Sequence, residues 1–186
     1  SNTNRQLPAL EGSYGQKKVN VLADRLLKIN PQLKLNVIDE FVGVENFQTL
    51  IPSCDVLIDC IDSLAAKTLL VARGHEKAEF VLTSGGAGGK VDASRIKYAD
   101  VAFAGGDSLI AAMRNKLRRE YGFPKVAAGE KPKAFGIGAV YSDEPVRTSQ
   151  DEGEGFGVFV AVTASFGMRL AQVCVAHLLE KAEYND

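Results

Sequence analysis

The sequence predicts an α/β fold with a mostly parallel sheet, on three observations. Strand-like runs alternate with helix-like periods from Gln16 to Thr83, the pattern of a parallel sheet whose crossovers are helices. Asp55 to Ser63 (DVLIDCIDS) is a short apolar run that carries Asp59 and Asp62 into a Ser-Leu-Ala-Ala helix start. Such a run reads as a buried parallel strand that delivers a carboxylate to the sheet's carboxyl edge, where open α/β sheets bind ligands. Beyond Ser84 to Gly89 (SGGAGG) the pattern changes to shorter, more polar strands, which places an internal subdivision near residues 84–89 of one domain spanning residues 1–186.

The elements follow in order. Ser1 to Gln6 (SNTNRQ) is a polar cluster. Val19, Leu22, Ala23, Leu26 and Ile29 recur at helical spacing within Gln16 to Asn30, and Asn30-Pro31 stops that helix. Leu33, Leu35 and Val37 alternate with Lys34 and Asn36, so Gln32 to Val42 reads as a strand nearer an edge. Glu45 to Ile51 is a short helix with Pro52 behind it, Leu64 to His75 a longer one, and Glu79 to Thr83 a strand. Lys90 to Phe103 resembles short polar strands, and Ser108 can cap a helix reaching Tyr121, closed by Gly122 and Pro124. Lys125 to Lys133 is a surface loop, Phe135 to Tyr141 a strand, Ser142 to Gly155 a second loop, and Phe156 to Lys181 a long apolar helix.

Composition narrows the class. A chain of 186 residues that is 46% hydrophobic and 24% charged can bury one core, which sets one domain as the expectation. No apolar run approaches the roughly 18 residues of a membrane span, and the first residues lack a signal-peptide pattern, so a soluble, cytoplasmic or mitochondrion-associated protein is expected. Cys54, Cys60 and Cys174 are odd in number and scattered, which argues against disulfides and against a zinc CxxC pair; each reads as buried packing. His75 and His177 have no metal-ligand spacing and read as structural. From Lys90 to Arg147 there are eleven Lys or Arg and seven acids, a bias that suits a phosphate-rich partner or simply a solvated helix face and loop.

Two glycine-containing stretches invite a phosphate reading. SGGAGG follows a strand, yet Lys90-Val91-Asp92-Ala93 after it resembles another strand rather than a helix, so a close-packed turn is favoured over a phosphate cradle. Gly15-Gln16-Lys17-Lys18 lacks a preceding strand and a Ser or Thr after the lysine, and fails as a Walker loop. The polar set Asn2, Arg5, Gln6 and Lys18 carries more weight together with Asp62: a nucleoside triphosphate needs forked donors, a point charge for its phosphates, and a carboxylate for magnesium.

SNTNRQ, then Lys18 thirteen residues after Arg5, then a helix ending INP and a strand ending IDS, resembles the ubiquitin-activating-like family of ThiF, MoeB and HesA proteins. The resemblance covers essentially the whole chain. It implies a Rossmann-like, mostly parallel sheet with helices on both faces and a smaller mixed β/helical C-terminal part. It further implies ATP and Mg²⁺ as cofactors, with Asn2, Arg5, Gln6, Lys18, Asp62 and Ser63 at the nucleotide, Arg5, Lys18 and Asp62 in catalytic roles, and Asp62, rather than Asp59, on the metal. TSGGAGGKVD, DSLIAAMRNKLRREYGF, VYSDE and GFGVFVAVTASFGMRLAQ are similar to the branch of tRNA threonylcarbamoyladenosine dehydratases, and the absence of CxxC pairs agrees with it.

That branch implies ATP-dependent dehydration of threonylcarbamoyladenosine in the tRNA anticodon loop. The substrate's carboxylate attacks the α-phosphate and expels pyrophosphate to give an acyl-adenylate, and an internal nitrogen then displaces AMP and closes a ring; electrostatics and positioning do the work, with no side-chain nucleophile. The alternatives are an adenylyltransferase acting on the C-terminus of a ubiquitin-like or sulfur-carrier protein, and a non-catalytic binding module. A homodimer is the expected assembly, and the apolar helix from Phe156 onward reads equally as its interface or as a core helix. The family's first strand, its G-x-G-G-x-G loop and its ribose-binding acid precede the Asn-rich motif, whereas this sequence begins at that motif. The expectation is therefore a chain truncated at its first βαβ unit, impaired in catalysis and in ATP binding.

Overall fold

The computed structural model describes residues 3–127, 129–147 and 157–183, grouped in two compact units, Ser1–Val42 and Gly43–Asp186. The first unit is a series of turns, such as Ala9 N–H to Gln6 O and Ser13 N–H to Leu10 O, followed by helix α1 (Lys18–Ile29). Its apolar residues share a face, as the periodicity requires, yet none of them is buried. Gln32 to Val42, expected as a strand, is irregular, with a turn at Gln32 and a bend at Glu40, and belongs to no ladder among the described residues. Alternation shows which face a strand would bury; it does not supply the neighbouring edge that pairing needs.

The second unit contains α2 (Phe47–Leu50), β1 (Cys54–Asp59), α3 (Leu64–Arg73), β2 (Ala78–Ser84), β3 (Ile96–Asp100), α4 (Ser108–Glu120), β4 (Ile137–Ser142) and α5 (Val160–Glu183). The sheet has the order β1-β2-β4-β3, with β1, β2 and β4 parallel and β3 antiparallel to β4. This is the expected Rossmann-like arrangement: α3 and α4 cover one face and α5 the other. The first core joins Val71, Val81, Ile110, Met113, Leu117 and Ile137, and the second joins Leu82, Val140, Val162, Phe166 and Leu170. Each large side chain fully withdrawn from water here contributes about 1.5–3 kcal/mol.

Several local expectations change. The strand read as buried, β1, lies at an edge among the described residues and leaves Ile58 41% exposed, whereas all six residues of β4 are buried. Lys90 to Ala93 is not a strand, because Val91 and Asp92 N–H both donate to Glu144 Oε2, at 2.9 and 2.8 Å. Helix α4 is capped by Asp107, not Ser108: its carboxylate accepts from Leu109 and Ile110 N–H, both at 3.1 Å. Helix α5 is long and apolar enough, by length and composition only, to cross a membrane. Its Val162, Phe166 and Leu170 are nonetheless packed on the sheet, and Lys181 pairs with Asp55 and Glu79 at 2.7 Å each.

Candidate active site

Strand β1 ends at Asp59, and four residues, Cys60 to Ser63, connect it to α3 at the sheet's carboxyl edge. Asp59 and Thr83 are register partners on adjacent parallel strands, so their side chains stand side by side. Lys67, one turn into α3, reaches down onto Asp59. Its Nζ donates to Asp59 Oδ2 at 2.6 Å, and Thr83 Oγ1 donates to the same oxygen at 2.6 Å. Asp59 Oδ1 accepts from Ile61 N–H at 3.0 Å, while Ile61 O accepts from Lys67 Nζ at 2.9 Å. Asp59, Lys67 and Thr83 are all buried, at 1%, 0% and 0% exposure. The acid singled out from the sequence, Asp62, is the next residue along and is exposed, as is Ser63. Asp62 thus sits three residues beyond the strand's end, on a loop whose backbone is tied down from beneath.

The neighbouring loop, SGGAGG, is the close-packed turn favoured from the sequence. Gly86 N–H points at Asp107 Oδ2, 3.1 Å away, and a Cβ at Gly85 would come within 2.6 Å of that oxygen. Lys90 Nζ donates to Asp107 Oδ2 and to Ser142 O, both at 2.8 Å. One amide of the loop, that of Gly86, does face an anion, but it is the protein's own Asp107 carboxylate.

In the first unit, Gln6 and Lys18 line a common pocket of about 230 Å³ together with Tyr14 and Gly15. That volume is below the roughly 300–1,000 Å³ of sites that enclose a whole small molecule. Lys18 is the first residue of α1, so its ammonium adds to the positive end of the helix dipole. Lys17 is engaged by Asp39. Arg5 is half-buried, and its Nη1 donates to Asn4 Oδ1 at 3.1 Å. Asn2 lies outside the described residues, as do Asp151 to Glu154. The predicted site residues therefore fall in both units: Arg5, Gln6 and Lys18 in the first, Asp62 and Ser63 in the second.

Among the described residues no cluster of three or more His, Cys, Asp or Glu side chains could cage a metal. A lone exposed carboxylate fits Mg²⁺ well, since that ion keeps several waters and is held by one or two carboxylates plus substrate phosphates. Cys60, read as buried, is exposed, because it follows β1 instead of lying within it. Its crowded surroundings, reinforced by Asp59 and opposed by Lys67, push its thiol pKa up and disfavour the thiolate. His177 is structural, stacked on Phe80 at 4.4 Å. The basic bias after Lys90 is largely consumed within the fold: Lys90 pairs with Asp107, Arg95 and Lys97 with Asp143, and Arg118 donates to Pro124 O. Lys125, Lys131 and Lys133 remain exposed on the loop before β4.

Sequence reasoning missed Lys67, Thr83 and Asp107. One signal was present: Lys67 is the lone charge in LAAKTLLVA, and an isolated cation in a buried helix calls for a nearby acid.

The ThiF family model matches residues 1–185. The tRNA threonylcarbamoyladenosine dehydratase of Haemophilus influenzae is 36% identical over 194 residues, covering 97% of this chain and 72% of that protein. The protein of the same name from Escherichia coli is 33% identical over 200 residues, again with 97% and 72% covered. Among solved structures, the Escherichia coli tRNA N6-threonylcarbamoyladenosine dehydratase, TcdA, in complex with ATP is similar at a TM-score of 0.85 and 32% identity, over 100% of this chain and 73% of that one.

Proposed function

The chain belongs to the ThiF family, and on that premise we propose that it is an ATP-dependent tRNA-modifying enzyme that dehydrates threonylcarbamoyladenosine in the anticodon loop. The observation that carries the reading is the whole-chain likeness to an ATP-bound dehydratase. The exposed Asp62 at the carboxyl edge of the sheet supports it, since that edge is where such sheets bind nucleotides.

The chemical task is to convert a poor electrophile into a good one. A carboxylate cannot expel oxide, whereas its mixed anhydride with AMP expels a stable phosphate ester. Attack of the carboxylate on the α-phosphate of ATP expels pyrophosphate; an internal nitrogen then attacks the acyl carbon and AMP leaves, so the nucleoside loses one water while ATP becomes AMP and pyrophosphate. In this proposal Asn2, Arg5 and Gln6 hold the nucleotide, and Lys18 at the start of α1 neutralises the phosphates. Asp62, with Ser63 beside it, would hold Mg²⁺, which supplies charge neutralisation at the phosphate oxygens. Lys125, Lys131 and Lys133 suit the tRNA backbone. The outward stripe of α5, with Met168, Val175 and Leu179 at 75%, 54% and 60% exposure, suits a second copy of the chain in a homodimer.

The test is direct. The chain is incubated with ATP, Mg²⁺ and tRNA bearing threonylcarbamoyladenosine, and the nucleoside is analysed by mass spectrometry. Loss of one water that requires both ATP and the chain is expected. ATP turnover that responds to a sulfur-carrier protein and not to the tRNA would replace this reading with an adenylyltransferase, and tRNA binding without ATP consumption would replace it with a binding module.

A further inference from the structure

We propose that the buried Asp59–Lys67–Thr83 network is a positioning device for Asp62, fixing the Cys60 to Ser63 loop so that the Asp62 carboxylate is presented to a metal-bound nucleotide. The inference rests on the assignment of Asp62 to that role in the proposed function.

The geometry supports it in three steps. The loop has four residues and joins two rigid elements, so few backbone contacts decide its path. Two of those contacts, the N–H and the C=O of Ile61, go to opposite members of one buried ion pair: the N–H to Asp59 and the C=O to Lys67. Ile61 directly precedes Asp62, so tying both of its backbone groups sets where the following residue projects. Thr83 completes the set from the adjacent strand by orienting Asp59. A buried pair must satisfy its remaining donors and acceptors, and here that capacity goes to both backbone groups of Ile61, while the pair itself is a weak source of net stability. Groups that orient a metal ligand from behind typically matter about 10–100-fold for metal affinity.

The experiment uses the whole chain in four forms: unaltered, Thr83→Val, Asp59→Asn/Lys67→Met, and Asp62→Asn. Thr83→Val removes one hydrogen bond and keeps the ion pair; the double variant removes both charges together, so neither leaves a lone buried ion. Mn²⁺ is titrated in the presence of ATP and read by electron paramagnetic resonance, and iodoacetamide labelling of each cysteine is followed by peptide mass. Both network variants should raise the half-saturating Mn²⁺ about tenfold, and Thr83→Val, which keeps the charges of Asp59 and Lys67 beside Cys60, should speed labelling of Cys60, with Cys54 and Cys174 unchanged. Unchanged Cys60 labelling in the folded Thr83→Val variant would overturn the proposal, as would faster labelling without a change in Mn²⁺ binding. If Asp62→Asn leaves Mn²⁺ binding as it was, the metal half falls together with the functional assignment of Asp62. Faster Cys60 labelling would then still uphold the network's hold on the loop.

Discussion

Two lysine–aspartate pairs are buried at the carboxyl edge of the sheet, and the same chemistry does different work in each. Lys67 and Asp59 lie eight residues apart and shape a short loop that carries an exposed acid. Lys90 and Asp107 lie seventeen residues apart and join four segments: the glycine loop through Gly86, the end of β4 through Ser142 O, the start of α4 through Leu109 and Ile110, and Lys90 itself. What a buried pair does is set by what its remaining hydrogen-bonding capacity is spent on. In the first case that is a loop next to a candidate ligand; in the second it is the junction of helix and sheet.

Substitutions can separate the two. Asp107→Ala strands Lys90 in the interior and uncaps α4, and should cost about 4–6 kcal/mol in urea unfolding, the sum of a broken buried pair and a lost cap. Lys67→Met leaves Asp59 uncompensated and should cost about 3–5 kcal/mol. The contrast sharpens in the paired replacements: Asp59→Asn/Lys67→Met should return to within about 1 kcal/mol of the unaltered chain. Lys90→Met/Asp107→Ala should stay lower by at least the cap, about 1 kcal/mol.

Gly89→Ala probes the second region alone. Gly89 has φ +69°, and an added Cβ would meet Val146 Cγ1 at 2.6 Å and Arg147 O at 3.0 Å. A loss of about 1–3 kcal/mol is expected by the same assay, with Cys60 labelling unchanged.

The smallest effect is electrostatic. Lys97, and then Arg95, hold the Asp143 carboxyl down to about 2. The contribution of this cluster is therefore fully present above the ordinary carboxylate range and is lost as pH falls through about 2. The group is exposed, so the decline should be shallow and weakened by salt, and Asp143→Asn should remove it from the pH profile of the unfolding midpoint.

Legibility followed the physics of each segment. The helices α1, α3, α4 and α5 were readable because a helix satisfies its own backbone, so periodicity and caps suffice to place it. The strand expected at Gln32 to Val42 failed for the converse reason: pairing depends on an edge elsewhere, which Leu33, Leu35 and Val37 cannot encode. Asp62 was legible as an acid beside a strand end, but the three-residue offset from Asp59 was not. DVLIDCIDS reads as one continuous run, whereas the ladder stops at Asp59, whose carboxylate is held by Ile61 N–H and by Lys67 from the following helix. Asp107 was hidden behind Ser108, an equally good cap by type, because the choice was made by Lys90 and Gly86 from another part of the chain.

The place of β4 in the sheet has a consequence for synthesis. It is the last of the described strands to be made, yet it lies between β2 and β3, so Val81 must wait for Ile137 and Tyr98 for Val140. As the chain leaves the ribosome, two strand edges stay unsatisfied until Ser142 emerges. Such late, non-local closure makes for slow folding and a window open to aggregation. Delaying translation just before β4 would lengthen that window, and speeding it would shorten it.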